Sequence, residues 1–130
     1  MTERQKLIKE LDRVFSIFIR RRDATDEVGK CITCGKMKTW KTMDCGHFIG
    51  RQHSATRWEE KNCAMQCKQC NGFEEGRKYI FAKRIDEIYG EGTAEMLLIK
   101  SKNSVKFDNG ILRLLIKEYK EKLKDNALPS

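Results

Sequence analysis

The chain has 130 residues and carries 27 Lys and Arg against 19 Asp and Glu, so its formal net charge is +8. No stretch approaches the roughly 18 consecutive apolar residues that a membrane span needs, and the N-terminal residues are too charged for a secretory signal peptide. We therefore expect no membrane partner, a cytoplasmic location and reduced cysteines. The excess positive charge favours a polyanionic partner, most simply nucleic acid.

The positive charge is concentrated in the middle of the chain. Residues 36–84 hold 11 basic and 5 acidic side chains, whereas residues 85–130 hold 8 of each. Residues 1–22 also carry a surplus, and there a solvated helix face explains the charge equally well. The middle segment is the stronger candidate for contact with a polyanion, because the cysteine and histidine motifs of the chain fall in it.

Hydrophobic spacing predicts a single domain over residues 1–130 with an α+β, mainly helical fold. Apolar residues at three- and four-residue steps indicate an N-terminal helix in residues 1–22. Residues 37–50 combine apolar side chains with two glycines, which favours a short bent hairpin. Residues 51–66 are polar enough to be predicted as a loop.

The second half of the chain is predicted to be helical. One helix is expected to begin between Cys67 and Asn71 and to run to about Tyr89, where two nearby glycines end it. Residues 93–125 are expected to form two C-terminal helices. The candidate N-terminal caps of these two helices are Thr93, and Asp108 or Asn109.

Four cysteines form two CxxC pairs, Cys31-Ile-Thr-Cys34 and Cys67-Lys-Gln-Cys70, with 32 residues between them. Zinc prefers four tetrahedral ligands, and a CxxC turn directs two sulfur atoms at one ion. Two such pairs favour structural Zn²⁺ over disulfides or a redox-active pair. A knuckle, a hairpin and a helix with the second pair would form a zinc-bound treble clef over residues 30–89. Two cysteines remain, as small buried residues or as a replacement ligand: Cys45 and Cys63.

A histidine and two asparagines lie in and beside the segment between the cysteine pairs. His47 falls in the predicted hairpin, and Asn62 is followed nine residues later by Asn71. This order resembles the HNH, or ββα-metal, nucleases. The resemblance implies that His47 is the general base and that Asn62 pins the hairpin loop. It also implies that Asp44 and Asn71 hold one divalent cation, Mg²⁺ or Mn²⁺. Gly46 replaces the usual acidic residue before the histidine, so Asp44 would have to reach the ion from three positions away.

A longer block of sequence narrows this resemblance. Residues 44–53, 55–58 and 66–71, together with residues 11–16 and the segment CITCGK, are similar to the phage NinG (Rap) recombination proteins over about residues 10–90. That family is understood as structure-specific endonucleases that act on branched DNA such as Holliday junctions. The resemblance implies a phage- or prophage-encoded DNA endonuclease that works in a bacterial host. The C-terminal third of the chain carries no motif that matches.

Further polar residues of the basic segment are candidates for the catalytic site. Arg51 and Arg57 are expected to brace the scissile phosphate or to contact the DNA backbone. His53 is a candidate second metal ligand, phosphate contact or surface residue. Trp40 and Trp58 are better explained by core packing than by base stacking. The candidate DNA-binding residues are Arg51, Arg57, Lys68, Arg77 and Lys78.

Two other functions stay open at the level of sequence. One is a non-catalytic, zinc-stabilised DNA-binding module, and the other is a zinc-based protein-interaction adaptor. The first would bind DNA with a steep salt dependence but would not cut it, whereas the second would not bind DNA. An enzyme that cuts a junction symmetrically would suit a homodimeric assembly, so a homodimer is a possible partner state. The apolar stripe of the last helix is most simply core, with a dimer face as the alternative.

Overall fold

The computed structural model describes residues 1–124, so Asp125 of the predicted C-terminal helical segment lies outside the described residues. Helices α1 (Glu3–Arg22) and α4 (Asn109–Lys124) pack against each other, and α1 also contacts a two-stranded sheet. The fold is α+β and mainly helical, as predicted. No helix within residues 1–124 is long and apolar enough to cross a membrane.

Five short strands and two further helices lie between α1 and α4. They are β1 (Ala24–Thr25), β2 (Val28–Lys30), β3 (Met37–Thr39), β4 (Asp44–His47), β5 (Cys63–Gln66), α2 (Lys78–Tyr89) and α3 (Thr93–Ser101). The strands form two antiparallel sheets: the first has the order β1-β2-β3, and in the second β4 pairs with β5. One π-helical turn, Gln69–Phe73, separates β5 from α2.

The N-terminal helix begins with a reciprocal cap. The Thr2 hydroxyl accepts a hydrogen bond from the Gln5 N–H at 3.1 Å, and the Gln5 side chain accepts one from the Thr2 N–H at 2.9 Å. Its apolar stripe packs against the buried side of α4, which confirms the last helix as part of the core. The buried residues of this contact are Leu11, Val14, Phe15, Phe18, Ile19, Leu112, Ile116 and Tyr119.

The hairpin predicted within residues 37–50 is wrong. The strand at Met37–Thr39 pairs with β2, whereas Asp44–His47 finds its partner in Cys63–Gln66, which was predicted as loop. All four residues of β5 are buried, so the strand lacks the alternation of polar and apolar residues that identifies a half-exposed strand. The loop of the true hairpin therefore runs over residues 48–62.

The helix predicted to run continuously to Tyr89 is interrupted after the π-helical turn. Glu75, Gly76 and Arg77 have φ angles of 52°, 82° and 46°, which are left-handed and incompatible with an α-helix. The regular helix consequently begins only at Lys78.

In the C-terminal half, the predicted helix-ending glycines are confirmed, but only one of the two predicted N-terminal caps is. Gly90 and Gly92, with φ angles of 116° and 93°, lie between α2 and α3. Thr93 is the first residue of α3 and not its cap, a position that Gly92 holds. Asp108 caps α4, because its carboxylate accepts the Ile111 N–H at 2.8 Å.

Candidate active site beside a four-cysteine cluster

The two CxxC pairs come together in the folded chain. One sulfur atom from each of the four cysteines lies within 4.8 Å of the other three. The first pair follows β2 in a tight turn, in which the Gly35 N–H donates to the Cys31 carbonyl at 2.9 Å. Gly35 has a φ angle of 79°, which a side chain would disfavour. The second pair directly follows β5. The cluster consists of Cys31, Cys34, Cys67 and Cys70.

This donor set fits zinc. The Cys34 and Cys67 sulfur atoms are 3.8 Å apart, close to the spacing of about 3.8 Å that tetrahedral geometry gives for Zn–S bonds of about 2.3 Å. The Cys67 N–H donates to the Cys31 sulfur at 3.3 Å. Burial raises the pKa of the Cys31 thiol, but hydrogen bonds from Cys67 and Thr33 outweigh it and lower this pKa to about 6. The four cysteines could therefore bind zinc as thiolates.

A cleft of about 410 Å³ lies between α1, β4 and the turn that carries the second cysteine pair. Helix α1 contributes Asp12, Phe15 and Ser16 to its wall. Residues that are far apart in the sequence line this cleft together. The reason is that β4 pairs with β5 and the resulting hairpin packs against α1. The site residues from the sequence prediction that line it are Asp44, His47, Arg51, Asn71 and Lys78.

His47 ends β4 with its imidazole half-buried at the cleft. The Nε2 atom lies 3.1 Å from the Arg57 carbonyl oxygen, so in the neutral ring this nitrogen carries the proton and donates it. Burial lowers the pKa of His47, and the nearby positive charge of Arg51 lowers it further. The hydrogen bond to the Arg57 carbonyl and the negative charge of Asp12 raise this pKa, but by less. The net shift is downward, so the ring is neutral at pH 7 and can accept a proton.

Asp44 and Asn71 are in direct contact. The Asn71 Nδ2 donates to one carboxylate oxygen of Asp44 at 3.0 Å, and the Lys68 ammonium donates to the other at 2.6 Å. Asn71 lies in the π-helical turn, an irregularity that is frequent at functional sites. A carboxylate and an amide oxygen are donors that suit Mg²⁺, which keeps several of its waters. These two side chains could hold such an ion at the cleft.

Asn62 ties the ends of the hairpin loop together. Its side chain is fully buried, accepts the Ile49 N–H at 2.9 Å, and donates to the carbonyls of Ile49 and Thr56 at 3.0 and 3.1 Å. These three bonds fold residues 48–62 into a fixed shape. The same loop supplies the Arg57 carbonyl that orients His47.

Replacing Asn62 with alanine is expected to lower the free energy of unfolding by about 2–4 kcal/mol, because buried backbone groups of the loop lose their partners. Urea denaturation followed by circular dichroism measures the change. The matched control is Asn103→Ala at an exposed position, with an expected effect of at most about 0.5 kcal/mol. Equal stability of the two variants would contradict the role of Asn62 in the loop.

The sequence prediction missed Asp12, which braces the loop from α1. Its carboxylate accepts hydrogen bonds from the Arg57 guanidinium at 2.6 and 3.1 Å and from the Trp58 indole at 2.9 Å. Arg51 also reaches it, at 3.4 Å. The feature of the sequence that could have indicated Asp12 is an acidic residue next to the apolar stripe of the predicted N-terminal helix. Asp12 holds the loop, and with it the partner of His47, against α1.

Replacing Asp12 with alanine is expected to destabilise the protein by about 2–4 kcal/mol, because the half-buried Arg57 guanidinium and the Trp58 indole both lose their acceptor. Glu10→Ala on the same helix is the matched control. Glu10 pairs with Arg13 and Lys120 at the surface, and such pairs contribute less than about 1 kcal/mol. Thermal unfolding of both variants tests this, and a loss for Asp12→Ala no larger than that for Glu10→Ala would contradict it.

Three of the residues predicted to contact DNA phosphates differ in how far their side chains are already bonded to the protein. The Arg57 guanidinium donates hydrogen bonds to the Asp12 carboxylate and to the Arg51 carbonyl, so its role is to stabilise the loop. The Lys78 ammonium donates to the His47 carbonyl at the cleft wall. The Arg51 side chain remains more than half exposed at the edge of the cleft, whereas that of Arg57 is 23% exposed.

Two other predicted site residues lie outside the lining of the cleft. His53 is exposed at the start of a short 3₁₀ turn in the loop. Arg77 has its guanidinium 3.8 Å from the Glu74 carboxylate. Both tryptophans pack against the core, which confirms their prediction: Trp58 meets Phe107 edge to face at 5.1 Å, and Trp40 packs beside the cysteine cluster.

The family described as "Bacteriophage Lambda NinG protein" matches the chain over residues 1–127. The chain belongs to the NinG family. In this NinG-family protein the match includes helices α1 to α4 of the described residues 1–124, the cysteine cluster and the cleft. It therefore extends beyond the residues 10–90 that carried the resemblance. No match was found among curated proteins or among solved structures.

Proposed function

We propose that this NinG-family protein is a metal-dependent, structure-specific DNA endonuclease that acts on branched DNA such as Holliday-junction intermediates. The observation that carries the proposal is the meeting of Asp44, His47 and Asn71 in one cleft. The HNH resemblance assigns these positions to the general base and to the ligands of a divalent ion. A neutral, oriented imidazole beside oxygen donors is suited to the hydrolysis of a phosphodiester.

We further assign the region around the cleft to the zinc-bound treble-clef architecture of HNH nucleases. A cysteine knuckle, the β4–β5 hairpin and a helical turn with the second cysteine pair support this assignment. The π-helical turn stands where a regular helix was expected. Zinc on the four cysteines would hold the ends of β2 and β5 together and so keep Asn71 beside Asp44.

In the proposed reaction His47 takes a proton from a water molecule, which attacks the scissile phosphorus. The bond from phosphorus to the 3′ oxygen breaks, and the departing oxygen takes a proton from solvent water, which leaves a 3′ hydroxyl and a 5′ phosphate. Asp44 and Asn71 would hold a Mg²⁺-class ion, which supplies charge stabilisation at the phosphate and the leaving oxygen. Arg51 is placed at the cleft edge to contact the phosphate backbone.

End-labelled DNA cleavage tests the proposal. The wild-type protein is incubated with a four-way junction or with a linear duplex of the same sequence, in Mg²⁺, Mn²⁺ or EDTA. We expect metal-dependent cuts near the branch point and far slower cutting of the duplex. Salt-sensitive binding of the junction without any cut would contradict an endonuclease and favour a DNA-binding module. Absence of binding would favour a protein-interaction adaptor.

The pH dependence of cleavage follows from the lowered pKa of His47. Burial moves this pKa below the ordinary 6.5, so the neutral, active imidazole persists above that pH and is lost as the pH falls through the shifted value. We expect the rate to fall with a midpoint below pH 6.5 and to approach a plateau as the pH rises above it. Single-turnover rates from pH 5 to 8.5 measure it, with junction binding at each pH as the control. An inflection above pH 6.5 would contradict this role of His47.

A further inference from the structure

A second cluster of possible metal ligands lies at the cleft, apart from the four-cysteine cluster. Ligand atoms of Cys45, His47 and Cys63 lie within 4.8 Å of one another. Cys45 and His47 are two residues apart on β4 and so share one face of the sheet, and Cys63 lies directly opposite His47 on β5. The register of the hairpin therefore places the three side chains together.

The chemistry of this cluster differs from that of the Asp44–Asn71 pair. Two thiols and an imidazole are the ligands that Zn²⁺ and Cd²⁺ prefer, whereas the cluster offers no side-chain oxygen for Mg²⁺. The ligand atoms lie at most 4.8 Å apart, against about 3.8 Å in a tetrahedral zinc site. Binding of one ion would therefore require the three side chains to close by at most about 1 Å.

The cluster is also accessible to an ion. Cys63 is 1% exposed and packs beneath α1, whereas Cys45 and His47 both line the cleft. An ion could therefore enter from the cleft and rest against the buried sulfur. Three protein ligands leave a fourth position for water, as in open zinc sites.

We propose that Cys45, His47 and Cys63 form a second, soft-metal site, and that Zn²⁺ bound there switches off catalysis. Binding of Zn²⁺ displaces the two thiol protons to solvent and occupies the imidazole lone pair. The ring then cannot accept a proton from water. The binding half of this proposal depends only on the cluster, whereas the inhibitory half rests on the proposed endonuclease function.

Zinc titration tests the binding half without any need for activity. Protein that carries one zinc per chain is titrated with Zn²⁺ in a phosphine reductant, with native mass spectrometry and calorimetry as readouts. We expect a second Zn²⁺ on the wild type and at least a tenfold weaker second site in Cys45→Ser. His53→Ala removes the other, exposed histidine and is expected to keep the second site. A wild type that stays at one zinc, or a Cys45→Ser variant with unchanged second-site affinity, would overturn the proposal.

Cleavage in Mg²⁺ with added Zn²⁺ tests the inhibitory half, with each variant compared with its own zinc-free rate. We expect Cys45→Ser to need at least tenfold more Zn²⁺ than the wild type for half-inhibition. Equal sensitivity would place the inhibition elsewhere and overturn this half. If no variant cuts DNA, the endonuclease function fails, and the titration still decides whether the site exists.

Discussion

Replacing His47 with alanine is expected to lower the rate of junction cleavage by about 10²- to 10⁴-fold, the usual contribution of a general base. Junction affinity is expected to change little, because the imidazole is half-buried and donates to a protein carbonyl rather than to a phosphate. Single-turnover cleavage and gel-shift binding, measured on the same preparations, separate the two effects.

The second histidine of the chain supplies the control for this experiment. His53 lies in the loop that follows β4 but is exposed and outside the lining of the cleft, so His53→Ala is expected to cut at a rate close to that of the wild type. A His47→Ala variant that cuts as fast as His53→Ala would remove His47 from the mechanism. Circular dichroism of both variants shows that a slow rate does not come from unfolding.

Removing a ligand of the four-cysteine cluster is expected to have the largest effect on stability. Cys67 is 3% exposed and packs with Met43 and Met65, so Cys67→Ser is expected to disturb both the proposed zinc site and the core around it. A bound structural zinc contributes binding energy comparable to the 5–15 kcal/mol or so that holds a domain folded. We expect less than one zinc per chain and a melting temperature lower by about 10 °C or more.

Zinc analysis and thermal unfolding measure this effect, and Cys45→Ser is the matched control. Cys45 lies outside the four-cysteine cluster, so this variant is expected to keep one tightly bound zinc. Chelation of the wild-type protein should reproduce the effect of Cys67→Ser. Full zinc content and an unchanged melting temperature in Cys67→Ser would show that the cluster is not a structural zinc site.

Local patterns were sufficient to predict several elements of this fold. The apolar stripe of α1 and the acidic cap of α4 depend on residues within one or two helical turns, and both are present as predicted. Strand β5 was missed because burial on both faces removes its alternation. The break before α2 was missed because Glu75 and Arg77 adopt left-handed backbone angles that their residue types do not indicate.

The amino-acid sequence by itself determined the chemistry that is available: two CxxC pairs, one histidine and two asparagines at a recognisable spacing, and a basic middle segment. Only the tertiary structure decided which of these groups meet. The pairing of β4 with β5 brought Cys63 opposite His47, and the packing of α1 placed Asp12 on a loop 45 residues away in sequence. Such contacts depend on how separate elements pack, which the spacing of residues along one element does not specify.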